Sequence, residues 1–180
     1  MFYGCAALET APELIATSLS SSCYYYMFYN CTSLKQAPML PATSLPSSCY
    51  SYMFYNCTSL TAGPEIAATI VSSSCCNRMF YNCTSLKTAT TELPALDLTG
   101  AGSCYQYMFY NCKSLLIAPN LPATILSSNC YENMFDACNS LILTQATLPA
   151  LTLTTSCYYD MFRNCSSLTT APALPATTLA

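Results

Sequence analysis

Residues 23–46 read CYYYMFYNCTSLKQAPMLPATSLP, and the same frame returns along the whole chain. The pair Met-Phe stands at Met1, Met27, Met53, Met79, Met108, Met134 and Met161, so successive starts lie 26, 26, 26, 29, 26 and 27 residues apart. A period of this size belongs to solenoids, in which each unit buries its apolar edge only by stacking on the next. The spacing predicts a single array over residues 1–180, built from about seven units of ~26 residues. Both ends fall inside a unit, which is expected of a fragment that lacks capping units.

Within one unit, Cys23, Met27 and Cys31 are four apart, with Phe28 beside Met27 and Leu34 three beyond Cys31. That spacing predicts one inward face of a short helix. Ser20, Ser21 and Ser22 precede it and are suited to cap its free amides. The third position after Met is Gly4, Asn30, Asn56, Asn82, Asn111, Ala137 and Asn164. Exchange of Gly with Asn marks a left-handed residue at a helix end, and leaves Ala137 as the strained exception. An extended piece then begins at Leu34 and its equivalents, read as three or four residues of parallel strand such as 34–37. Proline cannot donate to a sheet ladder, so Pro12, Pro38, Pro64, Pro119 and Pro172 are expected to end the pairing. The fold class is thus an α/β repeat solenoid, with a narrow parallel sheet on one face and short helices on the other. Three added residues around 93–102 and one around 143–155 are expected to bulge from one flank, either for specific contacts or as tolerated loop variation.

Apolar residues make up 53% of the chain, ample for a core, while only 7% are charged and the net charge is −3. The basic residues Lys35, Arg78, Lys87, Lys113 and Arg163 are too few and scattered to form the phosphate-binding stripe that nucleic acid requires. The chain holds no His, which excludes Ser-His and Cys-His catalysis. Acidic residues are dispersed. Glu132 and Asp136 share a predicted helix face with Asp160 one coil on, a patch open to two readings: weak Ca²⁺ binding or a solvated face. No catalytic residues, metal or cofactor are expected. The opening MFYGCAALETAPEL lacks the basic start and apolar run of a secretory signal, and no segment is long and apolar enough to insert in a membrane. Export is expected to be encoded outside this chain.

Thirteen of the 14 cysteines lie four residues from a Met, and pairs such as Cys49 and Cys57 are eight apart. On a helix that separation is roughly 12 Å, beyond the ~7 Å a disulfide tolerates. Two columns of buried thiols packing as small apolar groups are expected, against the alternative of a partly oxidised ladder between coils. Zinc is not expected, since no CxxC pair occurs. Cys76 occupies a position held by Tyr in other units and is expected to be partly exposed. Asn30, Asn56, Asn82 and Asn164 match the N-glycosylation pattern, though their turn role already accounts for them.

Tyrosines recur at three positions. Tyr24 and its equivalents follow the first Cys; Tyr26, Tyr52 and Tyr107 precede Met; Tyr29, Tyr55, Tyr81 and Tyr110 follow Phe. Stacking of units turns these into columns of phenols, some facing out, which are either a contact surface or packing for its own sake. The seven before-Met and after-Phe tyrosines are the candidate binding residues.

The element Met27-Phe28-Tyr29-Asn30-Cys31-Thr32-Ser33-Leu34, repeated in every unit, resembles the BspA-like leucine-rich repeats of bacterial and protist surface proteins. The resemblance implies a right-handed solenoid displayed at the cell surface for adhesion or for binding host or matrix proteins. The expectation is a non-enzymatic recognition or adhesion module for protein or glycan ligands, extracellular or at the cell surface. The alternative is a structural solenoid that self-associates head to tail into a filament or layer.

Overall fold

The computed structural model describes residues 1–179. Each unit makes one coil, and equivalent residues stack in columns along a common axis. One flank carries short parallel pairing. Strand β1 (Ser44–Leu45) pairs with β2 (Ile70–Val71), and β3 (Thr152–Leu153) with β4 (Thr178–Leu179). Single bridges continue the pattern: Thr10, Gln36, Ala62 and Thr88 link in succession, as do Leu40 with Ile66 and Ile117 with Leu143. The strand expected over 34–37 therefore shrinks to one bridge at Gln36. Pro38 interrupts it, and pairing resumes at Leu40 and again at Ser44–Leu45.

No helix occurs among the described residues, which corrects the expectation for the opposite flank. Every fourth residue there has positive φ: Ser48 at 57°, Tyr52 at 56° and Asn56 at 58° in one coil, and Ser74, Arg78 and Asn82 in the next. An α-helix cannot pass through such residues, because the left-handed region places Cβ against the following carbonyl. The chain runs instead as linked β-turns in which alternate amides have different partners. The N–H groups of Ser51, Met53 and Tyr55 donate three residues back, to the carbonyls of Ser48, Tyr50 and Tyr52. Those of Tyr50, Tyr52, Phe54 and Asn56 donate to the next coil, at the carbonyls of Cys75, Asn77, Met79 and Tyr81 over 2.8–2.9 Å. Backbone bonds thus join the coils on both flanks. Of the serines expected as helix caps, Ser22 is a left-handed turn residue instead, at φ 58°.

A turn run of period four keeps its columns aligned where a helix of 3.6 residues per turn would drift. Cys49, Met53 and Cys57 are all fully buried, and so are their neighbours Tyr50 and Phe54. The Phe column from Phe2 to Phe162 stacks at ring separations of 5.4–5.5 Å and interplanar angles of 1–6°. The Asn column is a side-chain ladder: Asn56 donates to Asn30 (2.9 Å), Asn82 to Asn56 (2.5 Å) and Asn111 to Asn82 (2.5 Å). These amides are committed to one another as well as to the turn. The inserted segment 93–102 does not simply bulge. Leu93, Ala95, Leu98 and Ala101 are buried, and Gly100, at φ +73°, turns the chain back.

Ala137 sits in the Asn column at φ 62°, its N–H donating to the Arg163 carbonyl at 2.9 Å but its side chain adding nothing to the amide ladder. Ala137→Gly should raise stability by about 1 kcal/mol, since glycine enters the left-handed region without the Cβ penalty. Thermal unfolding of the two proteins checks this.

Candidate functional site

The turn flank positions the candidate tyrosines. Where these positions carry tyrosine, the residue after the first Cys lies on the inner side and the residues before Met and after Phe on the outer side, whereas Asn133 and Asp136 at the latter two positions are buried. Tyr50, Tyr105 and Tyr131 are buried, whereas Tyr26, Tyr29, Tyr52, Tyr55, Tyr81, Tyr107 and Tyr110 are half-buried on the outer side. The structure brings these seven onto one face. Tyr3, Tyr29, Tyr55, Tyr81 and Tyr110 form a continuous stack with centroids 4.8, 4.6, 4.6 and 4.4 Å apart and planes within 11° of parallel. Beside it, Tyr26 and Tyr52 lie 4.8 Å apart at 35°. Burial raises the Tyr81 hydroxyl to about 12, with the neighbouring phenol Tyr110 adding to the effect, so this phenol stays neutral at physiological pH.

Arg78, not among the candidate residues of the sequence analysis, fills the before-Met position between Tyr52 and Tyr107. Its guanidinium lies 4.4 Å from the Tyr107 ring centroid and 5.6 Å from that of Tyr52. It donates to the Tyr52 hydroxyl at 3.1 Å and to Asn77 Oδ1 at 2.9 Å. Asn77 donates onward to Gln106 and Gln106 to Glu132, each over 2.8 Å, so a polar file borders the tyrosines. Aligning Arg78 with Tyr26, Tyr52 and Tyr107 by position in the unit was the signal that would have found it.

The acidic patch resolves into separate pairings. Asp136 is buried, and Arg163 holds it through Nε at 2.9 Å and Nη2 at 2.5 Å. Asn164 donates to its other oxygen at 3.1 Å, and Arg163 also reaches Asp160 at 2.8 Å. The bond to Asp136 is the main cause that raises the Arg163 pKa. Glu132 faces Gln106 and Asn129 instead. The three carboxylates therefore do not converge, and no cluster of three or more possible metal ligands occurs among the described residues.

The cysteines of the described residues are free thiols. In the second column each S–H donates to a Phe carbonyl of the preceding coil: Cys57 to Phe28, Cys83 to Phe54, Cys112 to Phe80 and Cys138 to Phe109, each at 3.1 Å. Burial pushes Cys83 and Cys130 up to about 12. Cys76, expected to be partly exposed, is fully buried in the inner Tyr column, and its thiol is raised by Cys75 and by burial. It is held away from solvent.

A second surface feature escaped the sequence reading. Leu116, Ile117, Ile142 and Leu143 are exposed on the bridge-bearing flank, at positions that hold Lys35 and Gln36, Thr61 and Ala62, or Lys87 and Thr88 in other coils. Shallow grooves of about 300 Å³ run along this flank at the Ala-Pro bend, one lined by Ala37, Pro38, Met39 and Pro64 and another by Lys87, Thr90 and Ile117. Their linings are mainly aliphatic and Thr side chains, with Glu65 in the first and Lys87 in the second.

Stacked coils with narrow parallel pairing and a repeated aliphatic core define a solenoid repeat protein. The BspA type leucine-rich repeat region matches in six copies over residues 1–93 and 73–175, and the chain belongs to that family. A leucine-rich repeat protein of T. pallidum is similar in fold, with 16% identity and a TM-score of 0.50 over 88% of this chain and 76% of that one. A leucine-rich repeat protein of Bacteroides ovatus shares 24% identity over 68% of this chain, with a TM-score of 0.42. A leucine-rich cell surface protein of Faecalibacterium prausnitzii shares 16% over 90%, also at 0.42. The chain spans 27% and 47% of the length of these last two. Comparison with curated proteins gave no match.

Alkylation of the native protein near pH 8 should label Cys5 and Cys23, which are exposed, and spare Cys57, Cys83, Cys112 and Cys138 until denaturant is added; mass spectrometry reads the sites. Arg163→Ala leaves the buried Asp136 carboxylate without its cation and should destabilise the fold, by less than the loss of a fully buried pair because the Arg is half exposed. Urea unfolding measures the loss.

Proposed function

We propose that this protein is a non-enzymatic recognition module, a single array of seven coils presented outside the cell. Its ligand is a protein held through Tyr26, Tyr29, Tyr52, Tyr55, Tyr81, Tyr107 and Tyr110. The observation that carries the reading is the tyrosine face with Arg78 set among its phenols. Tyr and Arg dominate protein-binding hot spots, and here both are already ordered by stacking, so little side-chain freedom is lost on binding. Membership of the BspA type repeat family supports recognition rather than catalysis, and a surface or extracellular location.

Ring stacking also favours protein over glycan. Sugars pack on open aromatic faces, whereas the rings of the outer column cover one another and leave edges and hydroxyls to the outside.

The test is a triple variant, Tyr52→Ser, Arg78→Ala and Tyr107→Ser, assayed for binding to cells and to immobilised matrix proteins, with a glycan array alongside. Binding of the wild type to a protein ligand should weaken at least about thirtyfold, since hot-spot truncations cost roughly 2 kcal/mol or more. Unchanged affinity in a variant that melts normally removes this face. Capture by glycans alone removes the protein ligand.

A further inference from the structure

The outer tyrosines are far apart in sequence and adjacent in space. Tyr29, Tyr55 and Tyr81 are 26 residues apart, and Tyr110 is 29 beyond Tyr81, yet successive centroids lie 4.6, 4.6 and 4.4 Å apart. We propose that this column is an oxidative modification site, at which a peroxidase with hydrogen peroxide couples neighbouring phenols into dityrosine and so joins coil to coil covalently.

The geometry supports the coupling in three ways. Centroids of two directly joined rings are separated by one ring width plus one carbon–carbon bond, close to the separation of Tyr81 and Tyr110. The torsion χ2 of tyrosine is broad and its axis passes through the ring centroid, so each ring can turn from stacked toward edge-to-edge, and a swing about χ1 supplies the inclination between the two Cβ–O axes that an ortho–ortho bond requires. All four rings are also half exposed, so a proton released from the hydroxyl passes directly to water.

The chemistry balances. Each of two phenols gives up one electron and one proton, forming two phenoxyl radicals, and hydrogen peroxide takes up both electrons and both protons to become two waters. The radicals join between carbons ortho to oxygen. The hydrogens displaced from those carbons return to the oxygens as the rings regain aromaticity.

The molecule carries its own control. Tyr24, Tyr50, Tyr105, Tyr131 and Tyr158 belong to the inner column, with neighbouring centroids 5.6–6.0 Å apart. Tyr50, Tyr105 and Tyr131 are buried and cannot reach an oxidant outside. Cys76 interrupts this column between Tyr50 and Tyr105.

The experiment treats the full chain with a haem peroxidase and hydrogen peroxide, then reads dityrosine fluorescence, denaturing gels and cross-linked peptides by mass spectrometry. Links should form within single molecules, at a yield per molecule independent of protein concentration. Each link should remove two hydrogens in mass, and the links along the column should map to Tyr3–Tyr29, Tyr29–Tyr55, Tyr55–Tyr81 or Tyr81–Tyr110. A Tyr29→Phe and Tyr81→Phe double variant keeps the stack but leaves Tyr55 and Tyr110 without an adjacent phenol in the column. It should lose the links of the column, with Tyr25–Tyr26 and Tyr26–Tyr52 as the main residual links. Cross-links only between molecules, links mapped to the inner column, or no dityrosine under conditions that couple N-acetyltyrosine would each overturn the proposal. The wild-type peptide map decides the matter even if the variant folds poorly. The proposal stands on ring geometry alone, so its outcome is separate from that of the binding experiment.

Discussion

The structure depends on the backbone hydrogen bonds that run from coil to coil through the turn flank. In a unit whose far side is a helix, amides bond within the helix and only side chains touch the next unit. Here every second amide of the turn run leaves its own coil for the next, as Tyr50, Tyr52, Phe54 and Asn56 do. The geometry requires a left-handed residue at every fourth position, costing on the order of 1 kcal/mol each outside glycine. The inter-coil bonds and the columns they align offset that cost. Once the backbones are held at sheet spacing, identical side chains in successive coils must stack, and the Phe, Tyr, Asn and Cys columns all follow from that constraint.

The columns divide the labour by chemistry. Phe and Leu exclude water from the axis, and the thiols donate to Phe carbonyls left partly open by the turns. The Asn amides are self-complementary, each able to donate to one neighbour and accept from the other, which suits a residue repeated indefinitely along an axis. Where the column changes, the replacement is coordinated: Ala137 ends the amide ladder, and Asp136 with Arg163 takes over the outer position one step away. A buried carboxylate is tolerated there because a cation and an amide satisfy it together.

The period, the inward residues and the outward tyrosines were legible in the sequence because stacking makes position in the unit equivalent to position in space. The backbone of the turn flank was not. Cys23, Met27 and Cys31 lie four apart in a helix and in a period-four turn run alike, so apolar spacing does not separate the two. Composition held the better signal, since the segment YYYMFYNC contains hardly any strong helix former apart from Met27. The Gly and Asn exchange after Met did identify one left-handed residue per coil correctly. The other two, at Ser48 and Tyr52 in one coil, carry side chains that give no hint of positive φ, because neighbouring coils rather than local preference impose it. Arg78 and the aliphatic quartet at Leu116, Ile117, Ile142 and Leu143 were visible only as departures from the repeat, and their meaning depended on knowing which columns face out.

Bonds that point along the axis on both flanks also determine how such a chain would respond to tension. Pulled from its two ends, it would load the rungs of one outermost coil at a time instead of shearing all of them together. It would then pay out in steps of nearly constant length, roughly 26 residues of extended chain or about 90 Å each. Force would rise and fall in a sawtooth whose teeth are set by the sequence period. A tether of this design lengthens under load while its remaining coils keep their surface intact.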